Sequence, residues 1–410
     1  MIRLVLSRLG RVMVGNEFEP RLVGVINMSP ESFFEGSIAR NGKEAVKIAE
    51  KMVRDGADII DIGGMSTAPY KKTHVSEEVE KNRVLEGIKS IKREIDVTIS
   101  VDTFRSKVAE AALSAGAEVV NDVTGLKSDA AMAGVISEYN ASAILMAHDL
   151  HDGSDPISRI RNSLDESIRL ALKASIAEDR LVIDPGIGFF RNEEIKWFEW
   201  DAYVISNLRR LKIIHFPLNV GVSRKSFLGE ILNIKDPESR LTASIAAEAI
   251  CVINGADSIR THNVAESKQA ITLASYIRKR AKAKGSASEK VQSLELADQE
   301  DAFYILKEIG VHEAGARILA KKAVFRAILL KQLPKPLALI IKQEMLAVGA
   351  DAATPMDTIL GGEMPVDVIL LGTVAQISRL CKRLRKMNFS FLRKMDIANL
   401  AQNIESALAS

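Results

Sequence analysis

The stretch Asp58-Ile59-Ile60-Asp61-Ile62-Gly63-Gly64 carries the first clue to the fold. Its near-continuous apolar character suits a strand covered on both faces, as in a parallel sheet. It opens on Gly56-Ala57-Asp58, a pattern that returns as Gly116-Ala117-Glu118 and Gly255-Ala256-Asp257. Each copy ends a helical pattern and begins an apolar segment, and a glycine there can take the left-handed conformation that closes a helix. The glycines alone mark ordinary helix-to-strand loops. The strands that follow them end in polar groups: Asp61, then Asn121 with Asp122, then Arg260 with His262.

Outward from that stretch, apolar segments alternate with amphipathic ones from about residue 20 to residue 284. The spacing predicts strands at 22–28, 58–64, 98–103, 118–124, 142–148, 181–186, 217–223 and 257–262. Helical patterns between them include 43–55, 77–93, 105–115, 194–210 and 240–254. Eight such units over this length match a (β/α)8 TIM barrel, with a doubly wound open sheet as the competing arrangement. Around 278–292 the chain turns polar and loses periodicity, which predicts a charged helix end and a linker. The expected organisation is α/β throughout: a barrel over 1–284, a linker at 285–294 and a smaller α/β domain at 295–410. That domain is expected to hold helices at 299–309, 335–348, 373–387 and 395–408, with a strand at 366–371 and an apolar segment at 323–331.

The length of 410 residues fits two domains, and 47% hydrophobic with 27% charged residues fits a folded chain. Lys plus Arg number 56 against 53 acids, a formal charge of +3, which argues against a chain-wide polyanion binder. The cluster Arg379, Lys382, Arg383, Arg385, Lys386, Arg393 and Lys394 reads as a solvated helix face and carries no nucleic-acid motif. Cys251 and Cys381 lie too far apart in sequence to suggest a disulfide scaffold or a cysteine-rich zinc site. No apolar run is long enough for a membrane span and no signal peptide is evident, so a cytoplasmic protein is expected.

In barrels of this kind the loops after the strands form the active face. The strand ends therefore assemble a candidate site: Asn27, Asp61, Asp102, Asn121, Asp122, His148, Asp184, Ser223-Arg224-Lys225-Ser226, and Arg260 with His262. Acids fall on the middle strands and cations on the last two, which suits a heterocycle on one side and a phosphate on the other. Lys225 offers a point charge and Arg260 a planar fork for phosphate oxygens. Arg224 and Lys225 at a helix start oppose the helix dipole, so an anion is the expected partner, with solvent as the alternative. Asp102 and Asp184 can each accept two parallel N–H bonds from a guanidine-like edge such as a pterin's, or serve a buried salt bridge. Asn27 offers an oxygen ligand for Mg²⁺ beside a phosphate. No His/Cys spacing suggests a transition-metal site.

Several of these segments together resemble the dihydropteroate synthase family over residues 20–275. They are Gly24-Val25-Ile26-Asn27-Met28-Ser29-Pro30-Glu31-Ser32-Phe33, Asp58 to Gly64, Ser66-Thr67, Val101-Asp102-Thr103, Asn121-Asp122-Val123-Thr124-Gly125, Asp184-Pro185-Gly186-Ile187-Gly188-Phe189, Ser223-Arg224-Lys225-Ser226-Phe227 and Arg260-Thr261-His262. The resemblance implies condensation of 6-hydroxymethyl-7,8-dihydropterin diphosphate with an arylamine, usually 4-aminobenzoate, releasing diphosphate. It implies that Asp102, Asn121, Asp184 and Lys225 hold the pterin. Asn27 (through Mg²⁺), Thr67, Arg260 and His262 would hold the diphosphate, with Ser226 helping to place the arylamine. Asp102, Lys225, Arg260 and His262 are the expected catalytic residues. The expected partners are small molecules, with neither nucleic acid nor membrane, and a homodimer is one assembly open to the chain.

The chain also departs from the family pattern. Gly63-Gly64-Met65-Ser66-Thr67-Ala68-Pro69-Tyr70 stands where the family usually reads Gly-Gly-Glu-Ser-Thr-Arg-Pro-Gly, so a loop arginine is missing, with Lys71 or Lys72 as candidate substitutes. Phe190-Arg191 replaces a Gly-Lys pair, and Ala147-His148-Asp149-Leu150 replaces a His-Met-Arg-Gly-like stretch. The altered residues leave room for a larger arylamine, such as a ribosylated aminobenzene phosphate. A pterin-binding methyltransferase module and a noncatalytic pterin-binding protein are the rival readings. The cations after the last strands disfavour the methyltransferase, because a methyl donor has no diphosphate for them to hold.

Overall fold

A computed structural model of the protein describes residues 5–15, 18–31, 35–66, 75–148, 155–191, 195–282, 294, 296–360, 364–387 and 397–409. The chain divides into two compact units, Met1–Ser286 and Ala287–Ser410.

The first unit opens with an antiparallel hairpin, β1 (Leu6–Leu9) and β2 (Val12–Gly15), which periodicity did not reveal. Eight strands follow: β3 (Arg21–Asn27), β4 (Ile59–Gly63), β5 (Thr98–Asp102), β6 (Val119–Asp122), β7 (Ser142–Met146), β8 (Leu181–Asp184), β9 (Asn219–Gly221) and β10 (Ser258–Thr261). They run parallel in the order β8-β7-β6-β5-β4-β3-β10-β9. A parallel bridge between Ile183 and Leu218 joins the two ends of that order. The sheet thus closes into the expected (β/α)8 barrel. Its helices are α1 (Gly42–Arg54), α2 (Glu77–Glu94), α3 (Ser106–Ser114), α4 (Met132–Glu138), α5 (Pro156–Lys173), α6 (Trp197–Ser206), α7 (Ser226–Leu232), α8 (Leu241–Ile253) and α9 (Val264–Lys282). The single helix expected over 194–210 is divided, because α6 stops at Ser206 and a 3-10 turn covers Leu208–Ile214. The recurring glycines Gly56, Gly116 and Gly255 have φ of 106°, 105° and 112°, the left-handed region that L side chains avoid.

Side-chain parity decides what enters the barrel, since alternate residues of a strand face opposite sides. In β4, Ile60 and Ile62 pack into the main core between strands and helices. Ile59 faces the lumen, in a separate cluster with Val23, Val119, Ile144 and Val182. The same parity sends Asp61, Asp102, Asn121, Asp184, Asn219 and Arg260 inward. Leu9 and Val14 of the hairpin join the lumen cluster and are fully buried, closing its strand-start end. Burying one such side chain is worth about 1.5–3 kcal/mol.

The second unit holds a three-stranded antiparallel sheet: β11 (Phe325–Leu333), β12 (Asp351–Ala353) and β13 (Val366–Thr373), with β13 in the middle. Its helices are α10 (Gln299–Glu308), α11 (Glu313–Ala323), α12 (Lys335–Ala347), α13 (Val374–Leu384) and α14 (Ile397–Ala409). Helix α11 and strand β12 add to the expected elements. Val368 and Leu370 of β13 pack on Leu337 and Ile341 of α12 and Ile377 and Leu380 of α13. From the basic cluster, Arg383 pairs with Glu344 and Arg385 with Glu405, so these cations join helices across the surface.

Candidate active site

The inward polar groups meet at the strand-end mouth of the barrel. Arg260 donates from Nε to Asp61 Oδ2 and from Nη2 to Asp102 Oδ2, each at 2.7 Å. Asn121 Nδ2 also donates to Asp61 Oδ2 at 3.2 Å. Asp102 Oδ1 is buried without a partner among the described residues. Desolvation, reinforced by the neighbouring Asp61 charge and opposed by Arg260, pushes the Asp102 carboxyl up to about 7. The two carboxylates raise the Arg260 guanidinium above its ordinary value although burial works against it.

Asp184 is fixed from two sides. Its Oδ1 accepts from the Gly186 backbone and its Oδ2 from Asn219 Nδ2, both at 2.8 Å, and Ser258 in turn donates to Asn219 Oδ1 at 2.9 Å. Burial raises its pKa, with Lys225 opposing.

Lys225 caps the start of α7, with Ser226 half-buried behind it. Its ammonium donates to the Ile187 carbonyl and lies 5.0 Å from the centre of the Phe189 ring. Desolvation lowers it to about 8 despite Asp184 and Asp201 nearby. His262 Nδ1 lies 3.0 Å from Ser223 Oγ. Desolvation and the charges of Arg260, Arg224 and Lys225 push His262 down to about 3, so it is neutral near pH 7. Asn27 ends β3, and its Nδ2 donates to Ser37 Oγ at 2.8 Å, which turns Oδ1 the other way. A methyl group on Gly63 would lie 3.5 Å from that oxygen and 3.9 Å from Asp102 Oδ2, so the backbone of Gly63 borders both groups.

The described residues that follow β3 and β4 are tied together. Arg83 of α2 donates to both oxygens of Glu31, at 3.1 Å each, and to the Gly64 carbonyl at 3.2 Å. Thr67, with Ala68 to Tyr70, Lys71 and Lys72, lies outside the described residues.

The structure thus brings Asn27, Asp102, Asn121, Asp184, Lys225, Ser226, Arg260 and His262 to one mouth, and it corrects two members of the strand-end list. Asp122 has outward parity, and its carboxylate accepts from the Thr124 and Leu126 backbones instead. Arg224 has a left-handed backbone, φ 60°, which turns its guanidinium into the fold. There it donates to Asn263 Oδ1 at 3.0 Å and to the carbonyls of Pro237 and Glu238, so the anticipated cationic pair reduces to Lys225. Two polar residues escaped the sequence reading. Asn219 sits at inward parity in a short strand, a signal that was present. Asp201 sits on a helix, where no strand-end rule reaches it.

A sequence model described as "Pterin binding enzyme" matches residues 23–262, more than half of the chain. The dihydropteroate synthase of Clostridium beijerinckii is 38% identical over 261 residues, covering 63% of this chain and 94% of that protein. This chain belongs to the dihydropteroate synthase family. A dihydropteroate synthase structure from Clostridium difficile, in the presence of pteroic acid, is 36% identical with a TM-score of 0.58, covering 63% of this chain and 97% of that one. The Coxiella burnetii dihydropteroate synthase in complex with pteroic acid is 35% identical with a TM-score of 0.59, covering 68% and 100%. The chain is therefore a transferase of the dihydropteroate synthase type, acting in folate biosynthesis. The family match ends at residue 262, short of the second unit, which begins at Ala287.

Proposed function

We propose that the barrel condenses 6-hydroxymethyl-7,8-dihydropterin diphosphate with 4-aminobenzoate, releasing diphosphate. The observation that carries this reading is the unpartnered, buried Asp102 Oδ1, held beside Arg260 in a mouth that also takes in Lys225 and His262. An orphaned buried acceptor calls for a donor, and the guanidine-like edge of a pterin supplies parallel N–H groups. Donation to Asp102 favours its charged form and draws its raised pKa down. Asp184, Asn121 and Lys225 complete the pterin contacts, and Ser226 helps to place the arylamine.

Two of the donors on Arg260 are committed to carboxylates, which leaves three for an oxyanion. Neutral His262 adds an N–H without a charge of its own. As the carbon–oxygen bond to diphosphate breaks, these donors meet the charge that develops on the leaving oxygens, while Asp102 stabilises the cationic methylene through the ring. The arylamine nitrogen then forms the new carbon–nitrogen bond and loses its proton. It needs no strong base, because a neutral arylamine is already a nucleophile. Thr67 belongs with the diphosphate contacts.

Mg²⁺ suits the same mouth, where it would offset diphosphate charge. Asn27 Oδ1 is a single hard oxygen left over when Nδ2 bonds Ser37, which fits an ion that takes its other ligands from phosphate and water. Among the described residues no group of three or more His, Cys, Asp or Glu forms a complete protein cage. We place the enzyme in the cytoplasm, where its two free, buried cysteines would stay reduced.

Diphosphate release from the pterin diphosphate with Mg²⁺, with and without 4-aminobenzoate, tests the reading. Release that requires 4-aminobenzoate and yields dihydropteroate supports it. Activity only with a ribosylated arylamine replaces the second substrate, and silence with both returns the weight to a pterin-binding methyltransferase or a noncatalytic binder.

A further inference from the structure

We propose that Asp201, a carboxylate on α6, is a positioning residue for Lys225, fixing the turn on which the lysine lies and supplying its second counter-charge. The inference rests on the pterin-holding role proposed for Lys225. Asp201 is fully buried. Its Oδ1 accepts from the Gly188 backbone at 2.8 Å, while its Oδ2 is buried with no partner among the described residues.

Gly188 is the link between the two residues. Its φ is 85°, and a Cβ there would lie 2.9 Å from Lys225 Cδ, so the lysine stem rests on the bare backbone of this turn. The ammonium then donates to the neighbouring Ile187 carbonyl. Holding Gly188 therefore holds the surface and the acceptor that aim Lys225. The electrostatics run the same way. Lys225 is faced by Asp184 from β8, Asp201 from α6 and Asp102 from β5, against Arg260 from β10. Asp201 is itself faced by Lys225 and Arg191, and burial raises it to about 6, so it is charged wherever Lys225 titrates. A hydrogen bond to one backbone N–H needs only an oxygen; the buried second oxygen of a carboxylate is explained by the cation nearby.

Asp201→Asn separates the two contributions, because its amide oxygen still accepts from Gly188 while the charge is lost. With the wild type, kcat/KM for the pterin diphosphate is expected to fall as Lys225 deprotonates near pH 8. In Asp201→Asn this basic limb moves down by about half to one pH unit, since an opposite charge nearby favours the ammonium. Asp201→Ser, a smaller acceptor, shifts it in the same direction if the amide proves hard to accommodate. A merely structural Asp201 would lower activity equally at every pH, and an unmoved limb in both folded variants overturns the inference. Pterin binding by fluorescence across the same pH range reads the shift without turnover. A shifted binding profile with no product from any arylamine would therefore sink the synthase reading and leave this one standing.

Discussion

Replacing Arg260 with Met removes a guanidinium and keeps most of its apolar volume, which makes it the sharpest test of the mouth. The side chain is 22% exposed and its two carboxylate partners are nearly fully buried. Breaking a buried pair by removing one partner typically costs about 3–5 kcal/mol, because the remaining charge is left uncompensated. Here the charge left behind can be neutralised by a proton. Asp102 already stands near 7 with Arg260 holding it down, so it rises further when the arginine goes. A carboxyl with a raised folded pKa makes the folded state bind more protons than the unfolded one, so stability falls as pH rises through that pKa. Urea unfolding of Arg260→Met should therefore show a deficit of about 3–5 kcal/mol at pH 8 that shrinks toward pH 6. In parallel, loss of one preorganised oxyanion donor should lower kcat by roughly 10²–10³-fold. Activity within threefold of wild type beside the full stability loss would make Arg260 structural and refute its contact with the leaving group. A stability loss under about 1 kcal/mol would refute the paired-carboxylate geometry itself.

Other outcomes follow from the same residues. Lys225→Ala should abolish dihydropteroate synthesis while circular dichroism shows the fold retained; unchanged turnover would remove the lysine from the pterin site. Asn27→Ala should raise the Mg²⁺ concentration needed for half-maximal rate and leave pterin binding intact, and chelation with EDTA should stop wild-type diphosphate release. Leu9→Ala, in the hairpin under the lumen, should cost about 2–5 kcal/mol in equilibrium unfolding with an unchanged KM, as a buried leucine truncation does. A neutral cost there would mean that the hairpin does not seal the barrel.

Much of this protein was legible in one dimension. Stretches such as Asp58 to Gly64 announce doubly covered strands, because only apolar side chains can occupy both faces of a strand walled by other strands and helices. The recurring glycines mark where helices must stop, because an L side chain resists the left-handed backbone there. The rule that strand ends build the barrel's mouth then gathered Asn27, Asp102, Asn121, Asp184, Lys225, Arg260 and His262 from positions up to 235 residues apart. What the linear order left open was direction. Asp122 and Arg224 stand beside residues of the mouth, yet parity turns one outward and a left-handed backbone turns the other into the fold. Asn219, Asp201 and the hairpin under the lumen earn their roles only through neighbours distant in sequence. A residue type and its spacing follow from local chemistry, whereas the partner that satisfies a buried polar atom exists only after the barrel has closed.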